Sequence, residues 1–378
     1  MSSLSQDRLD TDMTTWTIGP YHPALPGPMR VQLNLDGEVV VSASVDTGFL
    51  HRGLEKALEL HSWQAAVSYV DHLDSDGVAF GELALCMAVE EIGQISVPAR
   101  AKRIRVVLSE LTRISAHLAY IARMAKAAGS EAMFHYVLRD REKILDLFEL
   151  LTGARFSLNF LRFGGVSSDV TEGFIERVSE VCDLIRLRLK EYNDLFSFNH
   201  AFLKRTAFIG VLVSDVIRRY GLTGPNARAS GVMWDVRLVY PYCEYDKIDF
   251  HVPVGRGEVG TIGDAHDRFL LRLREIMQSV EILKQAVDTM PAGEFANGTV
   301  DKNFMVLAGE AYARVETPRG LLACHAVSDG TNHPARVQFR TPSSATVMAL
   351  PELLRGARIE DLPIIFASLD IGITEVDK

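Results

Sequence analysis

The chain of 378 residues has a formal net charge of −9 with acidic and basic residues interspersed. It therefore lacks the basic stripe that neutralises phosphates, and nucleic acid is not an expected partner. Apolar residues make up 47%, enough for a substantial core and for faces given to partner subunits. No run of about 18 apolar residues occurs, and the opening MSSLSQDRLDTDM is polar, which predicts a cytoplasmic chain with neither a spanning helix nor a signal peptide. Cys86, Cys182, Cys243 and Cys324 lie far apart without a C-x-x-C pair, so the sequence offers no cluster or zinc site and points to a reduced compartment.

Four prolines and two glycines fall between Gly19 and Arg30 around a single histidine, His22. Proline fixes φ and glycine permits turns, so this stretch predicts a stiff loop. Val31–Val41 alternates like two strands joined at Asp36-Gly37, a hairpin. A turn at Asp46–Lys56 leads towards a helix, and a helical region follows from about Val78 to Glu91. Pro98 stands where the next helix starts, with Ile104, Val107, Leu108, Leu111, Ile114, Leu118 and Ile121 at helical spacing. Another helix runs through Arg139–Glu149 and stops near Thr152-Gly153.

Phe163-Gly164-Gly165-Val166 breaks the pattern, and a helix is predicted from Thr171 to Phe196 with Thr171 and Glu172 at its start. Residues 208–259 read as loops and short strands. Phe269, Leu273, Ile276, Val280, Leu283 and Val287 mark a core helix that ends at Pro291-Ala292-Gly293. Short strands around Gly320–Val327 and Arg336–Arg340, then helices near Met348–Arg355 and Ile359–Ser368, complete the chain. The expected fold is α+β and mainly helical. Its parts are an N-terminal loop and β-hairpin region (1–60), a helical core (61–295) with an irregular insertion near 208–259, and a small C-terminal α/β region (296–378).

Ordered motifs span nearly the whole chain: Gly19-Pro20-x-His22-Pro23, Gly48–Lys56, Ile104-Arg105-Val106-x-Leu108-x-Glu110-Leu111-x-Arg113-x-x-x-His117, Arg162–Val166, Leu222-Thr223-Gly224-Pro225-x-x-Arg228, Pro318-Arg319-Gly320 and Ser368-Leu369-Asp370. In these the chain resembles the large-subunit superfamily shared by the 49-kDa (D) subunit of NADH:quinone oxidoreductase and the nickel-iron hydrogenases. The hydrogenases need two pairs of thiolates. Here the early site aligns with Leu73-Asp74-Ser75-Asp76-Gly77 and the late one with Asp370–Glu375, neither containing sulfur, so the resemblance is to the respiratory branch. It implies an acceptor pocket in the former metal chamber, no cofactor in this chain, quinone as substrate, and a [4Fe-4S] cluster in a B-type partner. It further implies C-type (30-kDa), I-type and H-type partner subunits and a peripheral place on the cytoplasmic side of the inner membrane. The rival expectation is a non-catalytic scaffold that has lost its acceptor site.

Within that resemblance four polar positions differ. Pro26 replaces a second loop histidine, Ser75 a tyrosine, Ala127 the aspartate partnering that histidine, and Ser157 a histidine near the cluster; His72 stands where an arginine is usual. A proline at the loop position also occurs in archaeal complexes that reduce methanophenazine. Reducing a quinone takes protons from donors within about 3 Å of its oxygens. His22 and Asp74 are the candidate catalytic groups, and His22, Pro26, His72, Asp74, Ser75 and Asp370 the candidate pocket. His22 either lines the pocket or only braces its loop, Asp74 belongs either to the cavity or to a solvated acidic turn, and Ser75 can offer one weak hydrogen bond. Asp370 and Glu375 either close the cavity floor or give the tail ordinary polarity. Arg105, Glu110, Arg113 and His117, stepping along one helix, are surface ion pairs if exposed and interface or proton-path residues if buried.

Overall fold

A computed structural model describes residues 13–298 and 304–378; all of the polar opening but Met13 lies outside the described residues. An N-terminal antiparallel sheet orders β1 (Thr14–Ile18), β2 (Arg30–Asp36) and β3 (Val39–Asp46). The predicted hairpin is β2–β3, turning at Gly37 with φ 59°. β1 was not foreseen, because all but its last residue is exposed. On β2 the alternation is plain, with Val31, Leu33 and Leu35 buried. This face joins a core with Leu350, Leu354 and Phe366 from the far end of the chain.

The helical centre follows: α1 (Leu54–Glu59), α2 (Trp63–Val70), α3 (Val78–Ile92), α4 (Ala99–Ala127) and α5 (Glu131–Thr152). α5 closes on Gly153 at φ 79°, as predicted. A two-residue ladder, β4 (Leu161–Arg162) with β5 (Gly165–Val166), precedes α6 (Phe174–Tyr192). α6 starts later than predicted: its N-cap is Gly173, and the Thr171 hydroxyl donates to Leu150 O instead of capping. After α7 (His200–Thr206), the irregular stretch holds short helices and no strand among the described residues: α8 (Ser214–Tyr220), α9 (Gly224–Ala229) and α10 (Val236–Val239). Its many Gly and Pro residues suggested strands, but they punctuate one-turn and two-turn helices.

Next comes α11 (Ala265–Asp288), capped by the Asp264 carboxylate, which accepts from Asp267 N. A second antiparallel sheet orders β6 (Gly309–Thr317), β7 (Gly320–Ser328) and β8 (Arg336–Arg340). The chain ends in α12 (Pro342–Leu354), α13 (Leu362–Leu369) and α14 (Ile373–Val376). The architecture is mainly helical α+β.

α4 is the axis of the molecule, packed on α5, α11, α3 and α13. It is buried on nearly every side although it carries Arg103, Arg105, Glu110, Arg113 and His117, all at most 5% exposed. Such charges stay inside only when paired. Arg105 forms a bidentate pair with Glu90 at 2.9 and 2.5 Å and donates to Gly165 O, while Gly164 N donates to Glu90. The glycine turn is thereby pinned to α3 and α4.

Candidate functional site

A cleft of about 380 Å³ opens where the first loop, the end of α4 and the end of α13 meet. His22, Pro26, Arg123, Ala127, Phe366 and Asp370 are among its walls. A larger depression of about 510 Å³ lies between residues 208–216 and 352–361, but none of the ion pairs described below reaches it.

Each wall is placed by local chemistry. Ala24 N donates to His22 Nδ1 at 3.2 Å, which leaves the proton of a neutral ring on Nε2. The imidazole therefore braces its loop and still belongs to the cleft. Asp370 follows α13 with φ 54°, a left-handed conformation that aspartate tolerates better than most residues. Its carboxylate accepts from Arg123 Nη2 at 2.6 Å and lies 3.7 Å from Arg319 and 3.9 Å from Arg272. Burial would raise its pKa, but Arg319, Arg123 and Arg272 together hold the carboxyl well below its usual range.

Arg319 sits at the tip of the two-residue β6–β7 hairpin, where Thr317 Oγ1 accepts from the backbone of both Arg319 and Gly320. Gly224 packs beneath this tip. A Cβ there would meet Arg319 O at 2.4 Å, so only glycine fits. From this tip Arg319 pairs with Asp74 through Nη1 and with Asp76 at 2.9 Å, and its Nε donates to Asp370 O at 2.8 Å. Arg123 Nη1 closes the lattice on Asp76 at 3.0 Å. A Cβ at Gly77 would lie 2.6 Å from Asp74 Oδ2, so the glycine leaves room for the paired carboxylate.

The structure thus divides the predicted site residues. His22, Pro26 and Asp370 share the cleft. Asp74 lies behind it, buried against Arg319, where burial raises its pKa and Arg319 opposes that rise. Ser75 and His72 are exposed and outside the cleft, His72 Nδ1 lying 3.5 Å from Ser157 Oγ. Glu375 is buried behind it too, accepting from Ser343 N at 3.1 Å. Pro26 and Ala127 line the cleft together, so the two substituted positions of the expected histidine–aspartate pair form one apolar stretch of wall.

Sequence reasoning missed Arg123, Lys126 and Phe366 as lining residues and Arg319 as the bridge. A signal existed for Arg319, in its Pro-Arg-Gly turn; a cation four residues before the end of α4 looks like any exposed helix end. The cluster of Asp74, Asp76 and Asp370 is occupied by guanidinium groups, and among the described residues no group of three His, Cys, Asp or Glu side chains is arranged to hold a metal ion. No described helix is long and apolar enough to cross a membrane.

Fold and site together define a mainly helical α+β protein whose cleft is assembled from both ends of the chain around a guanidinium–carboxylate lattice. The family described as respiratory-chain NADH dehydrogenase, 49 Kd subunit, matches residues 128–304 and 297–378. The chain is 40% identical over 369 residues to the D-type subunit of NADH-quinone oxidoreductase from Desulforamulus reducens, covering 98% of this chain and 99% of that one. It is 37% identical over 370 residues to the second D-type subunit of the same enzyme from Solibacter usitatus (98% of each chain). It is 38% identical over 367 residues to the D-type subunit from Bacillus thuringiensis (97% of this chain, 99% of that one). The chain belongs to the family of the 49-kDa subunit of respiratory-chain NADH dehydrogenase.

Proposed function

We propose that the chain is the acceptor-site subunit of an NADH:quinone oxidoreductase-type translocase. In this reading it is peripheral on the cytoplasmic side of the membrane, in contact with B-, C-, I- and H-type partner subunits. The B-type partner supplies electrons from its [4Fe-4S] cluster, and the acceptor is a lipid-soluble quinone or an analogue of quinone size. The observation that carries the reading is the 380 Å³ cleft joining His22 to the Arg123–Asp370 pair. Its volume lies within the range of small-molecule sites, and its walls are apolar except at those groups and Lys126.

The chain's own residues would bind and orient. Pro26, Ala127 and Phe366 offer apolar contact to a ring. His22 Nε2–H is a hydrogen-bond donor to one carbonyl oxygen, and the Arg123 guanidinium opposes negative charge that develops on reduction. Asp74 holds Arg319 in place and does not meet the acceptor. Arg319 bridges Asp74 and Asp370, so Asp74 lies behind the wall of the pocket.

The test is acceptor reduction by the intact complex carrying His22→Ala or Ala127→Trp. The first should lower turnover with the complex still assembled, and the second, which fills the cleft, should raise KM for the acceptor. Unchanged kinetics in both would leave the scaffold reading in its place.

A further inference from the structure

Away from the cleft, the end of α2 presses against α3. A Cβ at Gly81 would meet Val70 O at 2.3 Å, so only glycine allows this approach. Asp71 and Glu82, the next residue of each partner, are thereby set side by side, both at most 1% exposed. Their carboxyl groups are in hydrogen-bond contact. Glu82 Oε2 accepts from Phe160 N at 3.0 Å and from Leu161 N at 2.7 Å. Glu82 Oε1 and both oxygens of Asp71 are buried and receive no donor.

The surrounding elements do not supply one. Arg162 of β4 is the cation whose field reaches Glu82, but its Nη1 donates to Asn159 Oδ1 at 3.2 Å and to Leu161 O at 2.7 Å. Arg105 of α4 is taken up by Glu90. His72 is exposed, with Nδ1 3.5 Å from Ser157 Oγ. The Cys86 thiol, one turn along α3, is kept neutral by burial. β6 and β7, also packed on α3, bring apolar residues and the Cys324 thiol, which burial likewise keeps neutral.

Two bare carboxylates in such contact repel with nothing between them, so the pair needs a proton of its own. Glu82 is its seat: Oε2 is saturated by two amides, and Oε1–H can donate to Asp71. Burial pushes the Glu82 carboxyl well up, with Asp71 reinforcing and Leu161 N and Arg162 opposing. The single negative charge left on the pair lies in the field of Arg162.

What the pair holds is the chain between α5 and β4. At the α5 end Arg155 pairs with Asp146 at 2.9 Å and Glu149 at 3.4 Å, exposed contacts of little worth. The segment then passes through Ser157 at φ 53° and Asn159 at φ 42°, left-handed conformations that most side chains avoid. Leu158 and Phe160 anchor it by burial, and Glu82 is its buried polar tether.

We propose that the Asp71–Glu82 pair, closed by one proton, is an acid latch that fastens residues 157–161 onto α2 and α3 and loosens as that proton is lost. The closed pair keeps a proton that the opened pair releases. Its hold is therefore complete at acid pH and falls as pH rises. The latch does not depend on any assignment of the cleft.

Amide hydrogen exchange of the intact complex, corrected for the intrinsic pH dependence of exchange, tests this. One proton released per opening predicts that protection of Phe160 N and Leu161 N falls about tenfold per pH unit between about pH 5 and 8, while α4 amides hold. Glu82→Gln can donate to Asp71 from its amide and accept from residues 160 and 161 at its oxygen, so protection should stay level with pH. Asp71→Asn, whose amide can donate to Glu82, should do the same where the first variant does not assemble. Level protection in the wild-type complex overturns the latch, and so does an equal slope in an assembled variant. A fall shared equally by α4 also overturns it, because the loss is then global. Should neither variant assemble, a protonated-carboxyl infrared stretch that shifts on glutamate labelling must vanish over the same pH range, and its absence overturns the latch.

Discussion

Arg123 and Asp370 meet at 2.6 Å in the wall of the cleft, joining the last turns of the central helix to the residue that follows α13. Arg123 is 39% exposed at its side chain while Asp370 is buried, so the pair has one solvated and one desolvated end. Arg123→Gln keeps a hydrogen-bond donor near Asp370 and removes the charge. Arg319 and Arg272 still compensate the carboxylate, so assembly should survive. Screening at the exposed end reduces the worth of a charge-assisted bond, and a rise in acceptor KM of roughly tenfold is expected. Steady-state kinetics of the variant complex checks this, and an unchanged KM would detach the cation from acceptor binding.

The Arg105–Glu90 pair should behave differently, because it is wholly internal. Arg105→Met strands the Glu90 carboxylate and leaves the carbonyls of Arg162 and Gly165 without their donor. Breaking such a pair costs about 3–5 kcal/mol, whereas replacing both partners with apolar residues recovers much of it. Thermal unfolding of the Arg105→Met chain and of the Arg105→Met, Glu90→Leu double variant measures both steps. Equal destabilisation in the two would show that the carbonyl contacts, not the stranded carboxylate, dominate.

Helical periodicity disclosed α4 and α11 because their apolar residues recur at the helical interval. The same periodicity implied one buried face, and α4 is buried all round. Its polar side is covered by Glu90 of α3 and by groups of α10, α11 and β6, the last three more than a hundred residues away, which no local pattern can announce. The strand β6 was missed because Glu310, Tyr312 and Arg314 alternate with small residues and carry little apolar signal. At the site, His22 was legible from its stiff loop and Asp370 from the motif after α13. Asp74 was placed on the right side of the molecule but in the wrong layer, since its partner Arg319 comes from a hairpin 245 residues away. The cleft depends on such long-range closures, and composition does not encode them.

The C-terminus offers a third test. The Asp377 carboxylate accepts from Gly48 N at 2.8 Å and Leu50 N at 3.0 Å, and Arg52 donates to Thr374 O at 3.2 Å. Two hydrogen bonds to one carboxylate hold the segment that leads from β3 into α1. Asp377→Ala should cost about 1.5–3 kcal/mol locally and raise amide hydrogen exchange at residues 48–53 while α4 stays protected. Exchange rising equally through α4 would mean that the tail supports the whole core.

Glu375 gives the stability a pH dependence of definite sign. Burial, reinforced by Asp74 and opposed by Arg319, pushes its carboxyl up to about 7 from the usual 4.5. Between these values the folded chain keeps a proton that the unfolded chain releases. Stability from this group is thus fully present below about 4.5, falls as pH rises, and is lost once pH passes about 7. At about 1.4 kcal/mol per pH unit the loss is about 3–4 kcal/mol as an upper figure. Glu375→Gln, which keeps an acceptor for Ser343 N and cannot ionise, removes this loss. Unfolding midpoints of the two proteins should therefore diverge between pH 5 and 8, with the variant ahead at the alkaline end. Parallel curves would mean that Asp74, not Glu375, carries the shared proton.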